Sequence, residues 1–214
     1  SDQGMCGRLN EEIFQKTLKA FDELNVENEN RRLLIIGERL NSLFEDAREP
    51  VEECFSVPTS ARAITPVVQD IVLKLVAWNE ELGIGRISLF YNDYLSGASY
   101  RPSQADLLPL DETWLQKLQK EEWPTRNLPT FTMGIDPLFS SLLREYLFVS
   151  LFRAFAESLA SENASRLASM QGAEKNIEER LGELTSTYHQ RRQMAITEEL
   201  LDIVAGFEAL KETA

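Results

Sequence analysis

The sequence predicts an α/β fold: a Rossmann-like, mostly parallel sheet with flanking helices and a closing hairpin, joined to one long projecting coiled-coil helix. Three observations predict it. Short apolar runs alternate with longer helical patterns through the first half of the chain. Ser96-Gly97 separates two strand-like stretches near the end of that half. No proline follows Pro137, so the last seventy-odd residues read as a single helix.

Residues 1–7, SDQGMCG, read as a glycine-framed turn between a strand and a helix over 9–24. The strand before that turn is expected to lie upstream of Ser1, since the chain opens without an initiator methionine and already inside a loop-like sequence. Residues 32–36 form an apolar run ending at Gly37 and predict a buried strand, with a short helix over 40–47 and a second strand over 54–57. A helix over 63–82 carries Val67, Ile71, Leu75 and Trp78 on one face and stops at Gly83. Strands follow over 86–95 and 98–110. Residues 111–132 are less regular, with Pro124 and Pro129 marking a linker.

The long helix is expected to start after Asp136-Pro137, where Asp suits an N-cap and Pro the first turn. At about 1.5 Å per residue it would approach roughly 110 Å and must project from the body. Its early part, with Leu142, Leu143, Tyr146, Leu147, Phe152 and Phe155, is apolar over a wide arc and should pack on the sheet. Beyond about Ser161 the arc narrows to a heptad seam of Met170, Ile177, Leu181, Leu184 and Tyr188, resuming at Ile196, Leu200, Ile203, Phe207 and Leu210. The step from Tyr188 to Ile196 is eight residues, one more than a heptad, so a local change of winding is expected beside Arg191, Arg192 and Gln193. Such a seam needs a partner helix, and the chain offers none of matching length. The domain expectation is therefore an α/β body over 1–130 and a shaft helix over 131–214.

Composition narrows the function. Hydrophobic residues make up 43% of the chain, enough for a core. The formal charge of -13 argues against nucleic acid, because phosphate binding needs a basic surface. The apolar run near Tyr146 to Phe152 falls far short of the roughly 20 residues that span a bilayer. Cys6 and Cys54 show no metal or redox spacing, and with no signal peptide a reducing, cytoplasm-like compartment is expected.

Catalytic constellations are weak. Cys6 in its glycine frame could be a nucleophile at a helix N-terminus. A phosphatase-like loop, however, needs an arginine six residues on, where Glu12 stands, and the dinucleotide spacing G-x-G-x-x-G is absent. His189 is the only histidine and lies on the distal helix. Acidic pairs such as Glu178-Glu179 diverge by about 100° on a helix and read as a solvated face. No cofactor or metal is expected. Three functions remain open from the residues: an assembly component, a stand-alone α/β hydrolase or nucleotide-binding enzyme with a dimerisation helix, and a coiled-coil adaptor.

The arm narrows this choice. Its runs SENASRLASMQGAEKN (161–176) and ELTSTYHQRRQMAITEELLDIVAG (183–206) resemble the C-terminal helix of the gamma subunit of F-type ATP synthases, whose pattern is roughly S-E-x-A-x-R-x-x-A-M followed by a Y-N-x-x-R-Q-x-x-I-T-x-E block. SDQGMCGRLN is similar to that family's S-D-x-G-L-C-G-x-x-N loop, and Leu89 to Asn92 and Leu108 to Leu110 match weaker signals. His189 stands where the family has Asn, and Met133 and Gly134 where Tyr and Glu are common.

The resemblance implies a non-catalytic rotor stalk on the cytoplasmic side of a membrane, without a transmembrane segment. It implies as partners the catalytic and non-catalytic ring subunits, an epsilon-type stalk subunit and the membrane rotor ring. The upstream N-terminal helix of the same protein would be the antiparallel mate of the seam. Residue by residue, Arg192, Gln193, Thr197 and Glu199 match positions that contact catalytic-subunit loops, and Phe131, Met133 and Asp136 fall in a segment near the membrane ring.

Overall fold

Helix α1 (Leu9–Leu24) forms because Leu9, Ile13, Thr17 and Ala20 recur on one face and are buried there. It stops at Asn25, whose left-handed φ of 49° lets its N–H reach back to Phe21 and Asp22. A 3-10 turn (Asn28–Asn30) leads into strand β1 (Leu33–Ile36), then helix α2 (Glu38–Asp46) and strand β2 (Val51–Phe55). These are followed by helix α3 (Ala61–Leu82), strands β3 (Ile87–Ser96) and β4 (Ser99–Leu108), helix α4 (Glu112–Lys120) and helix α5 (Ile135–Glu212). The computed structural model describes residues 1–121, 125–127 and 130–212, with side chains through Gly206. The linker prolines Pro124 and Pro129, and the side chains of Phe207 and Leu210, lie outside the described residues.

The α/β class holds, with parallel pairing of β1 with β2 and an antiparallel β3–β4 hairpin. One detail differs: the two pairs are separate two-stranded sheets among the described residues. Between these elements is a cavity of about 570 Å³ whose lining includes Leu33 to Ile36 of β1 and Ile87 to Asn92 of β3. The first turn is tied to the parallel pair through Asp2. Its carboxylate accepts from the main-chain N–H of Glu38 and of Val57, both at 2.9 Å.

The chain divides into two units, Ser1–Ala168 and Ser169–Ala214. The core of the first is built from α3, which turns Ile64, Val68, Ile71, Leu75 and Trp78 inward against Leu107 of β4 and Leu147, Leu151 and Phe155 of α5. Ile71, Leu75 and Trp78 are buried as expected, while Val67, expected in the same stripe, is only partly buried and Val68 is fully buried, which widens the face to that side. Leu142, expected to pack, is 59% exposed.

Helix α4 occupies a stretch the sequence presents as irregular. Asp111 starts it, accepting from the N–H of Thr113 at 2.8 Å and from its hydroxyl at 2.7 Å. Helix α5 begins two residues earlier than Pro137, at Ile135. That places Pro137 inside the first turn, where its missing N–H leaves no bond unmade.

Candidate partner-contact surfaces

The second unit consists of α5 from Ser169 onward, and every described side chain from Met170 to Gly206 is exposed. The seam residues Met170, Ile177, Leu181, Leu184, Tyr188, Ile196, Leu200 and Ile203 lie between 45% and 69% exposed. Apolar side chains in water at that density mark a surface that another element covers. Glycines on this stretch leave room for one: a methyl group added at Gly172, Gly182 or Gly206 would meet nothing within 4 Å.

The 100° step of an α-helix places the expected contact residues around this line. Arg192 and Glu199, seven apart, lie on one side of Ile196, and Gln193 and Thr197 on the other. Thr197 already donates its hydroxyl proton to the Gln193 carbonyl at 2.9 Å, so it offers a partner an acceptor. Lys175 and Arg180 pair with Glu179 and Glu183 on their own helix. Among the described residues Arg191 and Arg192 make no such ion pair, which leaves two adjacent cations for an external anion or carbonyl.

A second apolar row was not legible in the heptad template. Met194, Leu201 and Val204 are 57%, 63% and 53% exposed, and they broaden the seam into a wide apolar face beyond Arg192. A window scored for a wide stripe as well as a narrow one would have found it.

The other expected contacts belong to the first unit. Phe131 and Met133 are exposed, as is Asp136 in the first turn of α5. They adjoin an apolar row along that helix, Ile135, Phe139 and Leu142, which reaches Tyr146. There the ring of Trp114 from α4 sits 6.0 Å away, and Leu115 and Leu118 add exposed apolar surface to the same short helix. The structure thus groups Arg192, Gln193, Thr197 and Glu199 within about two turns, and Phe131, Met133 and Asp136 within six residues. The two groups fall in different units.

The enzymatic alternative fares poorly. Cys6 is buried, its sulfur 3.3 Å from the Ser1 hydroxyl, 3.7 Å from the Asn10 amide and 3.8 Å from the Gln3 carbonyl. A thiol enclosed in its own turn has no open side from which a substrate could approach. Among the described residues no group of three or more histidine, cysteine, aspartate or glutamate side chains is arranged to hold a metal, and no helix is long and apolar enough to cross a membrane. Burial and the neighbouring carboxylate of Glu12, to which the hydroxyl donates, push the Tyr100 phenol up to about 12, and this contact joins the hairpin to α1.

Comparison with known proteins agrees with this geometry. A family profile described as ATP synthase matches residues 1–210. The ATP synthase gamma chain of Nostoc punctiforme is 32% identical over 234 residues, covering 98% of this chain and 73% of the relative. That of Synechococcus elongatus is 30% identical, with 98% and 72% covered. Among solved structures, a chain from the Euglena gracilis mitochondrial ATP synthase OSCP/F1/c-ring assembly superposes with a TM-score of 0.64 at 19% identity, covering 98% of this chain and 70% of that one. A chain from the Tetrahymena thermophila mitochondrial ATP synthase central stalk and c-ring gives 0.56 at 22% identity, covering 81% and 73%.

Proposed function

The chain belongs to the ATP synthase gamma-chain family, and from that premise we propose that it is the rotor shaft, passing torque between ion translocation and catalytic sites on partner subunits while performing no chemistry itself. The observation that carries the proposal is α5: 78 residues of unbroken helix whose described side chains beyond Ser169 are all exposed along an apolar seam. A shaft of this kind works by asymmetry. Placed in a threefold ring, it presents a different face to each catalytic subunit, and its angle biases which site is open through differential contacts.

In this reading the shaft domain over 131–214, whose helix is α5 (Ile135–Glu212), reaches into the ring of alternating catalytic and non-catalytic subunits. The body over 1–130 stands with an epsilon-type subunit on the membrane rotor ring, on the cytoplasmic side. Phe131, Met133 and Asp136, with the apolar row around Trp114, form the foot contact. Arg192, Gln193, Thr197 and Glu199 act as hydrogen-bonding and ionic catches on the catalytic subunits. Gln193→Ala with Thr197→Ala, introduced into the full-length protein in an assembled complex, is expected to lower coupled ATPase turnover by about threefold to thirtyfold, the range of one or two hydrogen bonds, and to leave assembly intact. Unchanged turnover would sink the catch assignment.

Two further occupants belong to the proposal. The seam takes an antiparallel helix from the N-terminal part of the same protein. The cavity between β1 and β3 takes a strand ahead of Ser1, which would join the two pairs into one sheet. Its support is chemical: Asn92 lines that cavity, and its side-chain oxygen is buried without a hydrogen-bond partner among the described residues. In full-length protein the main-chain amides of Leu34 and Phe90, which by the alternation of the ladder face away from β2 and β4, should exchange more slowly than in the chain beginning at Ser1, and equal rates would refute the strand.

A further inference from the structure

Three serines of α5, at 158, 161 and 165, share one face of the helix, following the spacing i, i+3, i+7. Serine is an indifferent helix former and usually turns to water there, yet Ser161 and Ser165 are buried and Ser158 partly so. Each reaches the main chain of a distant segment. The Asn92 N–H donates to the Ser158 hydroxyl at 3.1 Å. Ser161 donates to the Asn92 carbonyl at 3.1 Å, sharing its proton with the Glu157 carbonyl of its own helix at 2.8 Å. Ser165 donates to the Cys6 carbonyl at 2.6 Å.

The place of Asn92 explains the need. Both of its main-chain groups point away from β4, as at a non-hydrogen-bonded pair of an antiparallel ladder, and its register partner there is Pro102, which needs no N–H at such a position. Helix α5 supplies the donor and acceptor that this edge of β3 would otherwise lack among the described residues. On the same face Glu162, also buried, is paired with Arg166 one turn on.

Resting on the rotor reading above, we propose that Ser158, Ser161 and Ser165 form a register lock, a row of positioning residues that fixes the rotation and axial height of α5 against β3 and the first turn, so that torque enters the shaft through directional bonds. Apolar packing alone resists such slip poorly. Ridges that leave one groove reseat in the next at modest cost, and burial itself has no preferred direction. Hydrogen bonds differ. If α5 turned by one position, the buried Asn92 main-chain groups would lose both bonds to the helix, and the Cys6 carbonyl would keep only the long one from the Leu9 N–H at 3.4 Å.

The test uses full-length protein carrying Ser158→Ala with Ser161→Ala in a reconstituted ATP synthase. Three quantities are read: exchange of the Asn92 amide, ATP hydrolysis, and ions moved per ATP. The lock predicts that exchange at Asn92 accelerates about tenfold. It also predicts that hydrolysis stays within about twofold of the parent while ions moved per ATP fall by at least about half. Faster exchange with an unchanged ion-to-ATP ratio would reduce the serines to local fold supports and overturn the lock. Unchanged exchange would overturn it as well. Should the double variant fail to fold, Ser158→Ala alone, which removes the acceptor of the Asn92 N–H, is read at the Asn92 amide and at the same ratio and carries the same two outcomes. A parent protein that never enters the complex overturns the rotor reading instead, and is distinguished at once by the absence of assembly.

Discussion

Phe155→Ala is expected to lower the unfolding free energy by about 3–5 kcal/mol, as for other large aromatic truncations in a packed core. The ring is 8% exposed and belongs to a cluster with Val68, Leu75, Leu107 and Leu151. Its neighbours sit on α3, on β4 and on α5 itself, and none of these can move inward without breaking its own contacts. The void should therefore persist, and the cost should sit near the upper end. Against a typical domain stability of about 5–15 kcal/mol this is a large fraction. Urea unfolding of the chain measures it from the shift in midpoint at constant slope. Phe139→Ala, which trims an exposed ring on the same helix, serves as the control and should change stability by no more than about 0.5 kcal/mol. Equal losses from the two would mean that the core does not run through Phe155.

Gly37→Ala should cost about 2–6 kcal/mol, combining backbone strain of about 1–3 with overlap of similar size. Gly37 ends β1 with φ of 105°, a conformation that side chains rarely adopt. A Cβ built there would lie 2.8 Å from the Ser1 nitrogen, 3.1 Å from the Ser1 carbonyl carbon and 3.0 Å from a Val57 methyl. Two of those three contacts are main chain, which cannot swing away. Gly83→Ala is the informative comparison. It shares the positive φ, 63°, but has nothing within 4 Å, so only the backbone term of about 1–2 kcal/mol remains. The difference between the two midpoints isolates the crowding at Gly37, and identical losses would show that the close approach is not real.

The element order was legible because hydrophobic period and turn residues report directly on local backbone. What that period could not supply was adjacency. Nothing in the runs 33–36 and 87–96 says whether their strands touch, and the expected single sheet is two pairs among the described residues. The short helix α4 escaped because it lies between Pro109 and Pro124 and buries nothing, although Asp111 followed by Thr113 is a readable cap.

On the distal helix the seam announced itself through its spacing, while Met194, Leu201 and Val204 fell outside a seven-residue template. The serine row was invisible for a different reason. A serine on a helix says nothing until the distant carbonyl or amide it meets is known, and those partners lie 66 to 159 residues away in sequence.

One consequence of α5 concerns elasticity. About 27 residues of uninterrupted helix separate Ser165 from Arg192, with no proline between them. A rod gripped at one end and loaded at the other behaves as a torsion bar. It yields by a small angle spread over many peptide units. In a rotary machine such compliance would let the two ends step out of phase. A quantum of work delivered at one end would be held briefly as twist and released smoothly at the other. The open surroundings of Gly172 and Gly182, both within that span, would set how soft the bar is.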